Sequence, residues 1–230
     1  MVNEKELEHV RLVAALASGG ISGEPIYALF ERVIEKYCIS GHVLDFGAGR
    51  GNFARTLKRL GDIHAVTCVD ILPRPADFPD EIHWRICDLN KSVDMADQSF
   101  DAILSAEVIE HLENPRAVVR EWYRLLKPGG LIIFSTPNNE SIRSLLALTF
   151  RGHYSAFGDS SYPAHITPLL RKDIERIANE AGLELVNFHY VDSGVLPKAR
   201  YLSWQVISGG LLRGLRFSDN LLAVCRKPER

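Results

Sequence analysis

The sequence has no run of about 18 consecutive apolar residues, so it predicts no helix that crosses a membrane. Its first residues are charged and lack the basic and apolar regions of a secretory signal peptide. The four cysteines form no C-x-x-C pair, and Cys68 and Cys87 stand within apolar runs, which indicates buried thiols. Together these absences predict a cytoplasmic protein with reduced cysteines.

The sequence also has little excess of charge. Its 230 residues include 27 Lys and Arg and 29 Asp and Glu, a formal net charge of −2, so we expect no nucleic-acid partner. The charge is uneven, because residues 195–230 carry a balance of +5 and residues 1–194 carry −7. The basic residues of that C-terminal part are Lys198, Arg200, Arg213, Arg216, Arg226, Lys227 and Arg230. They predict contact with an anionic acceptor or an anionic membrane surface.

The hydrophobic pattern changes after about residue 40. Residues 1–40 carry two amphipathic helical patterns, Leu7–Ala17 and Pro25–Tyr37, which predict a helical N-terminal cap. From residue 41 to residue 230, short apolar runs alternate with helical patterns, which predicts a doubly wound α/β sheet. Ligands of such sheets bind beyond the carboxyl ends of the strands. The predicted strands are His42–Phe46, His64–Val69, Ile82–Ile86, Phe100–Ser105, Leu131–Ser135, Leu183–Tyr190 and Leu221–Cys225, and the predicted helices are Asn52–Leu60, Pro115–Leu126 and Pro168–Ala181.

A glycine-rich loop follows the first predicted strand, in the stretch Val43–Phe53. Glycines at alternate positions from Gly47 to Gly51 allow a tight turn and a close approach of the backbone to a ligand. The dinucleotide fingerprint G-x-G-x-x-G fails because its last position is Asn52, and no Gly-Lys-Ser/Thr follows to make a P-loop. Asp45 stands just before the loop, where a carboxylate suits a positively charged ligand and would repel a pyrophosphate.

Two further carboxylates end the next two predicted strands. Asp70 follows the second strand and is placed to accept the hydroxyls of a ribose. Asp88 follows the third strand and is placed to accept from the amino group of an adenine. Three strand ends in succession therefore predict a site for a nucleoside that carries a positive charge.

The chain resembles the class I S-adenosylmethionine-dependent methyltransferases over about residues 40–190. The matching motifs are Leu44–Gly51, Val69-Asp70, Cys87–Leu89, Phe100–Leu112 and Leu126–Pro137. The resemblance implies a Rossmann-like, seven-stranded, mostly parallel sheet whose last strand is antiparallel. It also implies S-adenosylmethionine as cofactor, with S-adenosylhomocysteine as product. The residues implied to bind the cofactor are Asp45, Phe46, Gly47, Ala48, Gly49, Asp70, Ile71, Asp88, Leu89, Ser105 and Glu107.

A cluster of ionisable residues follows the fourth predicted strand. On a helical turn, Glu107, Glu110 and His111 would share one face. One interpretation makes His111 a general base, with Glu110 and His165 as further catalytic residues. Another makes Glu107, Glu110, His111 and His165 ligands of a divalent metal. A third has Glu107 contacting cofactor or water while Glu110 and His111 only cap the turn.

The string Glu-Val-Ile-Glu-His-Leu resembles the ubiquinone-biosynthesis O-methyltransferases and also the metal-dependent small-RNA 2′-O-methyltransferases. The first resemblance implies methyl transfer to a small-molecule acceptor at a hydroxyl oxygen. Methylation of an RNA ribose and a non-catalytic, cofactor-binding scaffold stay as alternatives. We expect a monomer or a homodimer.

Two stretches fall outside the core pattern. Residues 138–167 predict a lid loop, in which His153, Tyr154 and His165 are candidates for contact with the acceptor. Residues 191–220 predict a substrate-side insertion before the final strand. Its part 195–217 mixes bulky apolar residues with arginines, which is typical of a peripheral membrane contact and equally of a cap or dimer surface.

Overall fold

In the computed structural model of the protein, residues 3–60, 62–197 and 199–229 are described. Lys198, the side chain of Arg200 and Arg230, three of the predicted basic residues, lie outside the described residues. The helices are α1 (Glu4–Ala17), α2 (Glu24–Lys36), α3 (Asn52–Leu57), α4 (Pro115–Leu125), α5 (Ile142–Arg151), α6 (Arg171–Glu180) and α7 (Trp204–Ile207). The strands are β1 (Gly41–Phe46), β2 (Ile63–Asp70), β3 (His83–Ile86), β4 (Phe100–Ser105), β5 (Leu126–Pro137), β6 (Glu184–Tyr190), β7 (Val195–Leu196), β8 (Ala199–Ser203) and β9 (Asn220–Arg226).

The main sheet has seven strands in the order β3-β2-β1-β4-β5-β9-β6. Strands β1 to β5 pair in parallel, whereas β9 is antiparallel to both β5 and β6. This confirms the predicted mostly parallel sheet with an antiparallel final strand. The order reverses between β1 and β4, so the carboxyl ends of these strands frame the crevice where ligands are expected.

Helices α2 and α4 cover opposite faces of the sheet because each of the two presents one apolar stripe. On α2, Leu29, Phe30 and Val33 are buried in the cluster on one face. On α4, Val118 and Trp122 are buried in the cluster on the other face. Both predicted N-terminal helices are present, but only α2 contributes buried residues, since α1 has none.

The structure corrects two predicted boundaries. Helix α6 begins at Arg171 rather than Pro168, because the backbone N–H groups of Ile166 and Thr167 donate to the Glu110 carbonyl at 3.0 and 2.9 Å and hold this segment extended. Strand β5 begins at Leu126, earlier than predicted. Its pairing with β4 shifts register between Phe100 and Ala102, beside the Pro-Gly-Gly segment that precedes the predicted strand.

The region 138–167 is not a loop throughout, contrary to the prediction. Helix α5 occupies its first part, because the Ser141 side chain caps the helix by accepting from the Ser144 N–H at 3.2 Å. Asn138 ties the start of this region to residues 215–218 through donations to the carbonyls of Leu215 and Ser218. Only the residues after α5 therefore form a loop-like segment beside the crevice.

The insertion 191–220 forms a short hairpin of β7 and β8 followed by α7. It leaves large apolar side chains in solvent, with Tyr201 87% and Leu211 86% exposed. Across the described residues, no helix combines the length and the apolar character that crossing a bilayer requires.

Candidate active site

A cavity of about 450 Å³ lies at the carboxyl ends of β1, β2 and β4. Most of the predicted site residues meet there. Those that line it are Asp45, Gly47, Ala48, Gly49, Asp70, Ile71, Asp88, Leu89, Glu107, His111 and His165. Its volume is in the range of small-molecule sites.

The glycine loop is fixed by the end of β2. The N–H of Gly47 donates to the carbonyl of Val69 at 2.8 Å, and the N–H of Gly49 donates to Oδ2 of Asp70 at 2.7 Å. Oδ1 of Asp70 accepts from the N–H of Leu72 at 2.8 Å. The Asp70 carboxylate is therefore held by backbone on both oxygens, and its remaining lone pairs are available to hydroxyl groups of a ligand.

Asp45 is a buried carboxyl group at the wall of the cavity. Its Oδ2 has no hydrogen-bond partner among the described residues. Burial, together with the neighbouring Asp70, raises the pKa of Asp45 to about 8. A cationic ligand would satisfy this group, because a nearby positive charge favours the ionised carboxylate.

Two predicted cofactor residues have their side chains in the core instead. The ring of Phe46 packs edge-on against Trp122, with centroids 5.5 Å apart. The hydroxyl of Ser105 donates to the carbonyl of Phe46 at 2.8 Å and is fully buried. The Ser105 hydroxyl joins β4 to β1, and the Phe46 ring packs β1 against α4. Both side chains therefore support the cavity without lining it.

Asp88 forms an ion pair with Arg11, a residue that the sequence did not indicate as part of the site. Its Oδ2 accepts from Nη1 of Arg11 at 2.5 Å, and its Oδ1 accepts from the N–H of Asn90 at 3.0 Å. Arg11 also donates to both carboxylate oxygens of Glu113, at 2.9 and 2.6 Å. The carboxylate predicted to meet an adenine is therefore oriented by helix α1.

Glu107 has a strained backbone, with φ at +56°, which is uncommon outside glycine. Its N–H donates to the Ser135 hydroxyl at 3.0 Å, and its Oε2 accepts from Nδ2 of Asn220 at 2.6 Å. Its Oε1 is buried without a partner in the described structure, and burial raises the pKa of Glu107 to about 7. Sequence reasoning missed Ser135 and Asn220, because no local signal links Glu107 to a residue 113 positions later.

Glu110, His111 and His165 form a compact group with one candidate ligand atom each, all within 4.8 Å of one another. Nδ1 of His111 donates to the Ala164 carbonyl, and Nδ1 of His165 donates to the Ala156 carbonyl, both at 2.8 Å. A carbonyl only accepts, so each Nδ1 carries the proton and each Nε2 keeps a lone pair. The side chain of Glu110 is fully buried away from the cavity wall, and neither carboxylate oxygen has a partner in the part of the chain described.

Burial shifts the pKa values of Glu110, His111 and His165 toward their uncharged forms. It lowers the pKa of His111 to about 4, with His165 beside it acting in the same direction. Burial and the neighbouring Glu107 raise the pKa of Glu110 well above its usual value. Two neutral imidazoles facing a desolvated carboxyl group form a donor set that suits a divalent cation.

Of the four residues predicted as candidate metal ligands, Glu110, His111 and His165 lie together, and Glu107 does not join them. Glu107 precedes the 3-10 turn Ile109–His111 and points to Asn220, so the three residues of the Glu-x-x-Glu-His string do not share one helical face. His153 and Tyr154, predicted to meet the acceptor, lie outside the cavity lining, whereas Tyr162 and Ile166 contribute to it.

Residues 21–187 match the family model described as a methyltransferase domain, which is more than half of the chain. The chain belongs to this methyltransferase family. The methyltransferase is 34% identical over 200 residues to a ubiquinone biosynthesis O-methyltransferase of Paracidovorax citrulli, covering 81% of this chain and 77% of that protein. It is 30% identical over 138 residues to the protein of that name from Xanthomonas oryzae, covering 54% of this chain and 57% of the relative.

Solved structures share the fold of the methyltransferase at low sequence identity. A methyltransferase solved in complex with the Trm112 activator of Haloferax volcanii superposes with a TM-score of 0.67 at 18% identity, covering 95% of this chain and 96% of the other. The 1,6-didemethyltoxoflavin-N1-methyltransferase of Burkholderia thailandensis, solved with S-adenosylhomocysteine, gives a TM-score of 0.58 at 18% identity, covering 89% of this chain and 77% of the other. The methyltransferase spans about half the length of several curated relatives, for example 41% of the mouse mitochondrial protein, which it matches with 25% identity over 62% of this chain.

Proposed function

We propose that the protein transfers a methyl group from S-adenosylmethionine to a hydroxyl oxygen of a small-molecule acceptor. The observation that carries the proposal is a single cavity in which the glycine loop and its carboxylates stand beside His111 and His165. The names of the sequence relatives, ubiquinone biosynthesis O-methyltransferases, support an oxygen acceptor, and they lend nothing to the RNA alternative.

The cavity fits the charges and hydroxyls of this cofactor. S-adenosylmethionine carries an ammonium and a sulfonium, and the unpartnered oxygens of Asp45 and Glu107 belong to carboxyl groups whose ionised form a nearby positive charge favours. The backbone-fixed carboxylate of Asp70 is suited to a ribose diol. When bound, the cofactor supplies the activated methyl group, and the chain's own part is to align the acceptor with it.

The second part of the proposal is that Glu110, His111 and His165 hold a divalent cation. Each Nδ1 is fixed by a backbone carbonyl as in known metal sites, which leaves Nε2 of each ring as the atom with a lone pair, and the carboxylate of Glu110, without a hydrogen-bond partner among the described residues, needs a positive partner. When bound, such an ion lowers the pKa of a hydroxyl group that it contacts. His111 as a base without metal is the less favoured candidate, because its lowered pKa makes it a weak proton acceptor.

An activity assay with labelled cofactor tests this function. The protein, depleted of metal with a chelator and then supplied with Mg²⁺, Mn²⁺ or Zn²⁺, is given hydroxylated aromatic acceptors and the matching amino compounds. We expect label in the hydroxylated series and a loss of turnover on chelation that one of the ions reverses. Methylation of the amino series alone would contradict an oxygen acceptor, and full activity after chelation would contradict the metal.

Cofactor binding is expected to strengthen as pH rises from 6 to 8. The positive ligand favours ionised Asp45, whose pKa in the free protein is about 8, so each pH unit below that value weakens binding by up to about tenfold. The sign for stability is opposite: a pKa raised in the folded state means that the free protein loses stability as pH rises from about 4 to about 8. Calorimetric titration with S-adenosylmethionine measures the first effect, and thermal unfolding measures the second.

The matched variant is Asp45→Asn, which keeps the shape and removes the titration. We expect its affinity to vary less steeply between pH 6 and pH 8 than that of the wild type, with Glu107, whose pKa is about 7, accounting for the remaining dependence. An equally steep dependence in this variant would show that another group is responsible.

We further infer that residues 195–217 contact an anionic membrane surface. The described part of this segment exposes Tyr201, Val206 and Leu211, and it carries Arg213 and Arg216. None of its residues lines the cavity in the described structure, which argues against the alternative of a cap over the substrate. In flotation assays, vesicles with anionic lipid are expected to carry the protein and neutral vesicles are not, and Leu211→Asp is expected to weaken the association. Self-association in sedimentation without vesicle binding would instead indicate a dimer surface.

A further inference from the structure

Helix α1 lies before the family match, which begins at residue 21, and it has no buried residue along its 14 positions. A helix with this little burial gains almost nothing from the hydrophobic core. Its inner side nevertheless forms part of the cavity wall. The contributing residues are Val10, Arg11, Ala14 and Ala15, with Ser18 just after the helix.

Arg11 joins this helix to the part of the cavity that Asp88 lines, beyond the carboxyl end of β3. It pairs with Asp88 at 2.5 Å and with Glu113 at 2.6 Å, and its side chain is only 14% exposed. The side chain of Asp88 is 6% exposed, so this pair is better shielded from water than an ordinary surface ion pair. A guanidinium held by two carboxylates fixes the direction of both.

Two other contacts hold the ends of α1. Near its start, Lys91 pairs with Glu4 at 2.8 Å and with Glu8 at 2.6 Å. Beyond its end, the carbonyl of Gly20 accepts from the N–H of Arg50 in the glycine loop at 3.0 Å. The helix is therefore positioned by polar contacts around a cavity rather than by packing against a core.

We propose that α1 is the outer wall of the adenosine subsite and that Arg11 is a positioning residue which orients Asp88 toward the ligand. The proposal rests on S-adenosylmethionine being the cofactor. Bound ligand supplies the packing surface that the inner face of α1 lacks, so α1 is held in place more firmly when the cavity is filled. A segment outside the family match thus completes the cofactor site.

A steric pair three residues apart on α1 tests the wall. Ala14→Phe places a large ring toward the cavity, whereas Ala17→Phe places the same ring at an exposed position that is not part of the cavity lining. By calorimetric titration with S-adenosylhomocysteine, we expect Ala14→Phe to weaken binding at least tenfold and Ala17→Phe to stay within twofold of the wild type. Equal affinities for the two variants would overturn the proposal. Absence of binding by the wild type would contradict the cofactor itself, which is a distinguishable failure.

Hydrogen exchange tests the coupling between Arg11 and the ligand. Amides of residues 4–17 are expected to become more protected when S-adenosylhomocysteine is added to the wild type. Arg11→Ala is expected to lose that gain and to release the ligand faster, and Arg11→Lys is expected to recover it only in part because lysine cannot bridge bidentately. Lys5→Ala, which removes a cation from an exposed position of the same helix, is the control and should behave as wild type. Protection that is unchanged by ligand would overturn the proposal even if the ligand binds.

Discussion

His111→Ala is expected to lower kcat by about 100- to 10,000-fold while the Kd for S-adenosylhomocysteine changes less than about threefold. One ring nitrogen of His111 lies within 4.8 Å of ligand atoms from Glu110 and His165, so the loss of this side chain removes one donor of the proposed cation site. The glycine loop and the carboxylates of Asp45 and Asp70 remain, which is why cofactor binding is retained. Steady-state kinetics and calorimetry measure the two effects.

A second histidine variant distinguishes a metal site from a role of His111 as a general base without metal. If both imidazoles hold one ion, His165→Ala and the double variant lose about as much activity as His111→Ala, because groups that act as a unit are not additive. If His111 is a base without metal, His165→Ala keeps most of the activity. His64→Ala, on an exposed position of β2, is the control and should leave kcat unchanged.

Gly49→Ala is expected to weaken binding of S-adenosylhomocysteine by more than about tenfold, or 1.4 kcal/mol, and to lower the temperature of unfolding. Gly49 has φ at +56°, and a Cβ built there would lie 2.3 Å from the carbonyl oxygen of Gly20. The backbone strain of a non-glycine residue costs about 1–2 kcal/mol by itself. Relief of the collision would also displace the loop that holds Asp70 through the Gly49 N–H.

The matched control is Gly152→Ala, at the end of α5. Gly152 has φ at +79°, but a Cβ there would have no neighbouring heavy atom within 4 Å. An alanine at position 152 would therefore have the backbone strain without a steric clash. We expect a modest loss of stability and an unchanged affinity for S-adenosylhomocysteine. If both variants bound S-adenosylhomocysteine equally well, close packing of the glycine loop against Gly20 would not matter for the site.

Much of the fold could be predicted from the sequence because its signals are local. The apolar run before Gly47, the helical stripe with Val118 and Trp122 and the final strand around Leu221 each identify an element from consecutive residues. Predictions failed where distant groups set the local backbone. The start of α6 depends on the Glu110 carbonyl, and α5 lies in a region whose composition suggested only a loop.

The candidate site, like the fold, could be predicted from the sequence only where its signals are local. The sequence by itself determined the glycine loop and the succession of strand-end carboxylates Asp45, Asp70 and Asp88, since parallel strands bring their carboxyl ends to one edge of a sheet. It left open what the residues around His111 do. Only the tertiary structure decided that Glu107 points to Asn220, that Glu110 joins the two histidines and that Arg11 holds Asp88. These are contacts between elements far apart in the chain, and no periodicity of one element encodes where the side chain of another will stand.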